Sequence, residues 1–361
     1  MICPQYKLLG LGHGPHAVLL LTISLGGLVA SGCDRPATVQ SLSPSKIQPV
    51  QSPAPVIPAP ELTTLAPAPT TPRTDSTRPT PQPSAPVDAA TPLPASAKPS
   101  SYQANPVAAL ALPPKPAQAA PRVPIRVAIA QQSPYLVIGS STPATVVDQQ
   151  GQAVKKLVPT SAENVIVQGG QLQIGAQSAP NVVWIKPESA TGLVYVSGRW
   201  YRGAIQVIAN RGKLLGVNHL DMESYLYSVV GAEMPASWPI EALKSQAIAA
   251  RSYALAHIAR PANPFFDLGD TQRWQAYKGV ETEAHSTLAA VEATAGIVLS
   301  HEGAVVESLY AASDQIVREV HKGFGMSQNG ANQLAQQQYS YQQILAHFYP
   351  GTRLAWLQFS S

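Results

Sequence analysis

The sequence predicts an α+β fold in which a β-rich N-terminal portion packs with a mostly helical portion, preceded by a signal peptide and a disordered Pro-rich spacer. Three observations support this prediction. An apolar run lies near the start of the chain, most of the 35 prolines lie before residue 125, and alternating strand patterns later give way to helical ones. We therefore expect three regions, which comprise residues 1–33, 34–122 and 123–361.

The first region has the features of an export signal. Ala17–Ala30 is an apolar run with the length of a signal-peptide core, and it is too short for a bilayer-spanning helix. It is followed by Ser31, Gly32 and Cys33, which complete a stretch that resembles a bacterial lipobox. We expect lipidation at Cys33, with an uncleaved anchor or simple secretion as alternatives. The predicted location is the cell envelope, as an exported, membrane-anchored lipoprotein that faces the periplasm or cell wall.

The second region, residues 34–122, is dominated by Pro, Ala, Ser, Thr and Gln. Such a segment buries too little apolar surface to offset the entropy of ordering, which is roughly 1–2 kcal/mol per residue for the backbone alone. We predict an extended, partly polyproline spacer that carries the third region outward from the membrane.

Charge and cysteine content exclude several kinds of site. The net charge is +4, and the Lys and Arg residues form neither a basic stripe nor a nucleic-acid motif, so we expect no nucleic-acid partner. Both cysteines, Cys3 and Cys33, precede the spacer, so the third region has no disulfide and no thiolate metal site. We predict no cofactor and no metal, and we interpret His257, His285 and His301 as ordinary core-edge or surface residues.

The first half of the third region has period-two apolar spacing, interrupted by Gly, Asn, Ser and Pro. This pattern is typical of antiparallel β structure. The sequence Asn210-Arg211-Gly212 before Lys213 predicts a hairpin turn. The predicted strands include Ile125–Ile129, Val165–Val167, Leu172–Ile174, Val182–Ile185, Leu193–Val196 and Ala204–Ile208.

The second half switches to helical patterns. We predict a helix over Asp221–Gly231 and a longer one over Pro239–Ala259, with Pro239 at the first helical position and Glu241 near the positive end of the helix dipole. The remaining predicted elements are a helix over His285–Thr294, strands over Ile297–His301 and Val305–Tyr310, a turn over Gly323–Gly325, and helices over Ser327–Gln337 and Ser340–Tyr349.

The most distinctive stretch runs from Val217 to Ala254 and contains YLYSVVGAEMP, WPIEALKSQA and AARSYA in this order. It resembles the SpoIID/LytB family, that is, the relatives of stage II sporulation protein D, in which these motifs recur with this spacing. The resemblance covers essentially everything from Ile125 to the C-terminus. It includes Tyr201–Gly203, Trp274–Gly279, Thr294–Val298, Gly325–Ala331 and Tyr349–Thr352.

The resemblance implies cleavage of denuded peptidoglycan glycan strands by lytic transglycosylation, which leaves a 1,6-anhydro sugar. The family's catalytic glutamate lies in the EMP motif and is Glu233 here. One carboxyl suffices, because it can protonate the leaving oxygen and then take the proton of the sugar's own 6-hydroxyl. We expect burial against Met234, Pro235 and Trp238 to raise the pKa of this carboxyl, and the dipole of the following helix to lower it.

The resemblance also implies substrate-binding residues, and some candidate residues have a structural alternative. Arg251 fits a cleft residue or a buried structural clamp, and Tyr277 a groove residue or core filler. Ser327 fits a substrate contact or a plain helix N-cap, and Trp238 a sugar platform or a packing anchor. The expected substrate-binding residues are Lys244, Gln246, Arg251, Tyr253, Gln275, Tyr277, Ser327 and Gln328.

The sequence departs from the family pattern after Tyr310. A shorter segment than in many members joins this residue to Gly323, so we expect part of the groove wall to be missing, and Lys322 stands where the family has His. An alternative to catalysis is therefore a non-catalytic peptidoglycan-binding module or amidase enhancer, with a cell-wall amidase as its partner. A third hypothesis is a structural envelope protein without a groove.

Overall fold

The computed structural model describes residues 107–358. The predicted signal core Ala17–Ala30, Cys33 and most of the predicted spacer lie outside these residues. Within them, we find no helix that combines the length and the apolar character needed to cross a bilayer. The elements are β1 (Pro124–Ser133), β2 (Tyr135–Ser140), β3 (Ala144–Val147), β4 (Ala153–Leu157), β5 (Ala162–Gln168), β6 (Gln171–Ile174), β7 (Gln177–Ala179), β8 (Val182–Pro187), β9 (Val194–Val196), β10 (Arg199–Tyr201), β11 (Ala204–Asn210), β12 (Lys213–Asp221), α1 (Met222–Glu233), α2 (Ile240–Ala259), β13 (Leu268–Gly269), a 3-10 helix (Gly279–Thr282), α3 (His285–Ala293), β14 (Ile297–His301), β15 (Ala304–Val305), β16 (Tyr310–Ala311), α4 (Asp314–Val320), β17 (Met326–Ser327), α5 (Gln328–Gln336), α6 (Tyr341–Phe348) and β18 (Arg353–Trp356).

Two larger sheets form the β-rich portion. One has seven strands in the order β13-β1-β12-β11-β8-β3-β4, and the other has six in the order β10-β9-β2-β5-β6-β7. The predicted hairpin joins β11 to β12, where Asn210 pairs with Lys213. Its two turn residues, Arg211 and Gly212, have φ values of 52° and 76°, which match the twist of a two-residue hairpin.

The two sheets face each other across a common apolar core. Alternate side chains of each strand point inward, as the period-two spacing predicts. Buried side chains from both sheets belong to one hydrophobic cluster, among them Leu136, Val165, Ile174, Ile185 and Val207. The β-rich portion is therefore a sandwich whose core continues into the helical portion.

The helical portion begins where β12 ends. Asp221 is the last residue of β12 and the N-cap of α1, and its carboxylate accepts a hydrogen bond from the Ser224 amide at 3.1 Å. The helix α2 lies at the centre and contacts α1, α3, α5, α6 and β14. Its alanines at positions 247, 250 and 254 are fully buried, because small side chains allow neighbouring elements to approach closely.

The α+β class is confirmed, with a β-rich N-terminal portion and a mostly helical remainder. The predicted helix over Pro239–Ala259 is present, but Pro239 is its N-cap and not its first helical residue. The predicted strand over Val305–Tyr310 is wrong, since only its two ends pair as strands. Between them, the Ser308 hydroxyl donates to the Ala249 carbonyl at 2.7 Å and ties this segment to α2. The helix α4 was not predicted.

Residues 107–122, at the end of the predicted spacer, lie against the domain. The Leu110 amide donates to the Gln342 carbonyl at 3.3 Å, and the Trp356 indole nitrogen donates to the Pro113 carbonyl at 2.9 Å. Leu110 and Leu112 pack on the main core. The spacer therefore meets the folded domain at α6 and β18.

Candidate functional site

Glu233 is the last residue of α1, and it is half-buried where three parts of the chain meet. Its Oε1 accepts a hydrogen bond from the Ala276 amide at 2.7 Å, and its Oε2 accepts one from Gln328 Nε2 at 3.3 Å. Residue 276 precedes the 3-10 helix and residue 328 begins α5. The carboxyl is therefore held from both sides by residues that are distant in sequence.

Burial raises the pKa of Glu233 above its ordinary value of 4.5. The two hydrogen bonds from Ala276 and Gln328 oppose this shift, and so does the positive charge of Lys278. Burial has the larger effect, because the ionised carboxylate loses more hydration than these partners replace. The site therefore favours the protonated carboxyl at a higher pH than water does, which suits a group that must donate a proton.

The approach of α1 to the segment before α3 depends on a glycine. A Cβ at Gly231 would lie 1.9 Å from the Thr282 carbonyl oxygen, so no larger residue fits there without displacement. The Thr282 hydroxyl donates to the Ser228 carbonyl at 2.9 Å, and the Lys278 amide donates to the Ser228 hydroxyl at 3.1 Å. These contacts fix the segment that presents Ala276 to Glu233.

Gln275 holds the residues around Glu233 in place through hydrogen bonds. It is fully buried, and its Nε2 donates to the Ala250 carbonyl at 3.2 Å and to the Tyr310 hydroxyl at 2.8 Å. Its Oε1 accepts the Tyr225 hydroxyl at 3.0 Å. Every polar hydrogen and the carbonyl of this amide are thus engaged within the protein. Gln275 acts as a support for Tyr310 rather than as a residue that is free to bind substrate.

Tyr253 and Tyr310 lie beside Glu233. Their ring centroids are 6.4 Å apart. Burial raises the pKa of both hydroxyls. The charges of Glu307 and then Glu233 add to this shift for Tyr253, whose pKa is raised to about 12, and the charge of Glu233 adds to it for Tyr310. Tyr253 was among the expected residues, whereas Tyr310 was not. In the sequence, Tyr310 lies at the end of an apolar pattern, as a core residue would. Only the fold shows that β16 places Tyr310 near Glu233.

The start of α5 contributes one residue to the site and one to the framework. Gln328 bonds to Glu233, as described above. Ser327 is fully buried, and its hydroxyl accepts a hydrogen bond from the Gly330 amide at 3.1 Å and donates to Asp314 Oδ2 at 3.2 Å. Ser327 is therefore a helix N-cap, the structural alternative of its two interpretations.

Arg251 is a buried clamp. Its side chain is fully buried, and its guanidinium donates to both carboxylate oxygens of Glu223, at 2.9 Å and 2.6 Å. It also donates to the carbonyls of Ile297 at 3.0 Å and Val291 at 3.4 Å. The residue joins α2 to α1, α3 and β14 and has no exposed atom for a ligand, which favours the clamp over the cleft interpretation.

The other expected residues do not bond to Glu233 or its partners. Lys244 Nζ bonds to Glu241 at 2.7 Å and lies over the Tyr341 ring. Tyr277 is buried and donates its hydroxyl to Asn218 at 2.6 Å, so it fills the core. Gln246 is also buried, and its amide atoms have no hydrogen-bond partner among residues 107–358.

The remaining expectations concern apolar groups and metals. Met234 is buried next to Glu233 in the chain, and Trp238 is partly buried against the main core, in agreement with a packing role. Cys33 lies outside the described residues. In the part of the chain that the structure describes, no group of three or more His, Cys, Asp or Glu residues is arranged to hold a metal ion.

Comparisons with known proteins give one family model and several relatives. Residues 210–301 match the family model described as SpoIID: Stage II sporulation protein. The chain is 32% identical over 156 residues to the amidase enhancer of Bacillus subtilis, and 31% identical over 111 residues to its stage II sporulation protein D. It is 36% identical over 118 residues to an uncharacterized protein of Brachyspira hyodysenteriae.

These alignments cover 42%, 26% and 32% of this chain and 21%, 32% and 32% of the respective relatives. The chain therefore spans a third or less of each relative's length. The matched family segment contains α1 and α2, and with them Glu233. The resemblance to the SpoIID/LytB family is confirmed.

Replacement of Gly231 by Ala should destabilise the domain by about 1–3 kcal/mol, since the added methyl group would collide with the Thr282 carbonyl. The free energy of unfolding from denaturant titration measures this effect. Gly216→Ala is the matched control, because its Cβ would meet Ala130 Cβ at an ordinary 3.4 Å. Equal effects of the two changes would contradict the close approach of α1 to Thr282.

Replacement of Arg251 by Ala should lower the free energy of unfolding by about 3 kcal/mol, because it leaves the partners of a buried cation unpaired. Lys244→Ala is the control, since it breaks the more exposed pair with Glu241 and should cost less than about 1 kcal/mol. Chemical denaturation compares the two. A small loss for Arg251→Ala would argue against the clamp.

Glu233→Gln should change the pH dependence of stability. Because the pKa of Glu233 is raised in the folded state, the native protein binds more protons than the unfolded chain, so its stability falls as pH rises through that folded pKa. The variant has no carboxyl at this position and does not lose stability in this way. The difference between its melting temperature and that of the parent should therefore shift in favour of the variant as pH rises above about 4.5. Melting curves between pH 4 and 8 test this. Glu302→Gln is the control, because the Glu302 side chain is 45% exposed. A constant difference would contradict the raised pKa.

Proposed function

We propose that this member of the SpoIID/LytB family cleaves denuded peptidoglycan glycan strands by lytic transglycosylation, with Glu233 as general acid and base. The observation that carries the proposal is the half-buried carboxyl at the end of α1, whose pKa is raised by burial. A raised pKa keeps the acid form available at a pH where an exposed glutamate has lost its proton.

The proposed reaction needs one carboxyl. Glu233 donates its proton to the glycosidic oxygen as the bond from that oxygen to C1 breaks. The same carboxylate then takes the proton of the 6-hydroxyl, whose oxygen forms the new bond to C1 of its own sugar. The products are a shortened strand and a 1,6-anhydro end, and Glu233 regains its proton.

The surroundings of Glu233 are consistent with a reaction that uses one carboxyl. Among the described residues, the groups that shift its pKa include no second carboxylate. Hydrolysis with inversion or retention ordinarily uses a second carboxylate, either to activate water or to attack the sugar. The intramolecular reaction needs only the one carboxyl that Glu233 supplies.

The location and partners form part of the proposal. We propose an exported domain, tethered to the membrane through Cys33 or an N-terminal anchor, that reaches glycan strands by means of the spacer. A second candidate function is glycan binding that enhances a separate cell-wall amidase. The observation that favours this alternative is the alignment with the amidase enhancer, which is the longest of the three alignments given above, at 156 residues.

Incubation of the full chain with denuded glycan strands should release fragments with anhydro ends, detected by mass spectrometry. Glu233→Gln should lower their rate of release by at least about a hundredfold, because it removes the proton donor. Gln328→Ala should lower it less, since it removes one of the two hydrogen bonds to the carboxyl.

Two other outcomes would be informative. Strands that are retained but not cut by the parent chain would replace the transglycosylase with the binding module. Fragments that carry reducing ends instead of anhydro ends would show that water, not the 6-hydroxyl, attacks the sugar.

A further inference from the structure

The Tyr310 hydroxyl accepts a hydrogen bond but has no acceptor for its own proton among the described residues. It accepts a hydrogen bond from Gln275 Nε2 at 2.8 Å, and no acceptor for its own proton lies within hydrogen-bond distance among residues 107–358. Three buried tyrosines of the domain do have acceptors. Tyr225 donates to Gln275, Tyr277 to Asn218 and Tyr349 to the Leu309 carbonyl. A buried or partly buried donor without a partner costs free energy, so such groups usually serve a ligand or water.

The fold places this hydroxyl close to Glu233. Gln275, which bonds to the Tyr310 hydroxyl, is followed directly by Ala276, whose amide bonds to Glu233 Oε1 at 2.7 Å. From the other direction, Tyr310 pairs with Met326 in the β16–β17 ladder, and Gln328, two residues further, donates to Glu233 Oε2. Two independent connections thus bring Tyr310 to the same carboxyl.

The orientation of the hydroxyl is fixed. Gln275 donates its second Nε2 hydrogen to the Ala250 carbonyl and accepts from Tyr225, so its amide cannot turn to become an acceptor for Tyr310. One lone pair of the hydroxyl is therefore occupied, and the proton has to point elsewhere. Tyr310 is half-buried, so part of the residue faces solvent.

We propose that Tyr310 donates its hydroxyl proton to an oxygen atom of the sugar residue whose glycosidic oxygen Glu233 protonates. This inference rests on the proposed function and adds to it a substrate-binding residue that no motif indicated. The preorganised donor holds the sugar against the carboxyl and orients the glycosidic oxygen for proton transfer.

The test separates binding from turnover. In the full chain with Glu233→Gln, which does not cut, the affinity for fluorescently labelled denuded strands is measured with and without Tyr310→Phe. Loss of the hydroxyl should weaken binding about two- to tenfold, as expected for one neutral hydrogen bond. Tyr135→Phe is the matched control, since it removes the hydroxyl of a tyrosine that is 58% exposed on β2, and it should leave the affinity unchanged.

The same substitution in the active chain gives the second readout. Tyr310→Phe should lower the turnover number at saturating strand concentration, whereas Tyr135→Phe should not. If Tyr310→Phe lowers the melting temperature but leaves strand affinity and turnover at the parent values, the hydroxyl serves only as the acceptor for Gln275, and the proposal is overturned.

The outcomes also distinguish this inference from the proposed function. Weaker binding by Tyr310→Phe in a chain that releases no fragments would support the Tyr310 contact and overturn the transglycosylase. Normal cleavage by Tyr310→Phe would overturn the Tyr310 contact alone. A parent chain that neither retains nor cuts strands would overturn both.

Discussion

The close contact between α1 and the segment that ends at Thr282 is the constraint on which the site depends. Glu233 lies at the end of α1, where the helix has no further turns to hold its side chain. Its position is set by the Ala276 amide, which belongs to the opposing segment. That amide reaches the carboxyl only because Gly231 has no side chain to keep the Thr282 carbonyl away. A backbone requirement two residues from Glu233 therefore determines the geometry of a functional side chain.

The electrostatics of Glu233 result from two opposing effects with a common origin. Packing of the three segments removes water from the carboxyl, which favours the protonated form, and the same packing supplies two hydrogen-bond donors and a nearby lysine, which favour the ionised form. Burial prevails, but the opposing groups limit the shift. An acid that must later act as a base benefits from this balance, since neither protonation state is held too firmly. The partners that oppose burial come from elements far along the chain, and Pro235, one of the three residues expected to bury the carboxyl, is exposed.

The sequence predicted those features that depend on local pattern. The period-two runs, the Asn210–Gly212 turn and the two long helices appear in the structure with small changes at their ends, because burial of one face and turn chemistry act over a few residues. It predicted Glu233 through a motif. It could not decide between the alternatives for Arg251 and Ser327, since a buried clamp and a cleft residue have the same local sequence, and only the packing of Glu223 and Asp314 distinguishes them. Tyr310 was missed because β16 is two residues long, and its position depends on pairing with β17.

The short connection after Tyr310 helps to position the groups next to Glu233. The segment folds as α4, with Ser313 as its N-cap, and returns to β17, where Gly325 has a φ of 130° and lies so close to the Leu309 carbonyl that a side chain would not fit. This return fixes both Tyr310 and Gln328, because the two residues flank the same pair of short strands. Gln328, which bonds to the carboxyl, and Tyr310 are therefore both held by this short connection. The geometry at Glu233 thus does not require a longer segment here, because one short helix and one tight glycine turn already return the chain to the site.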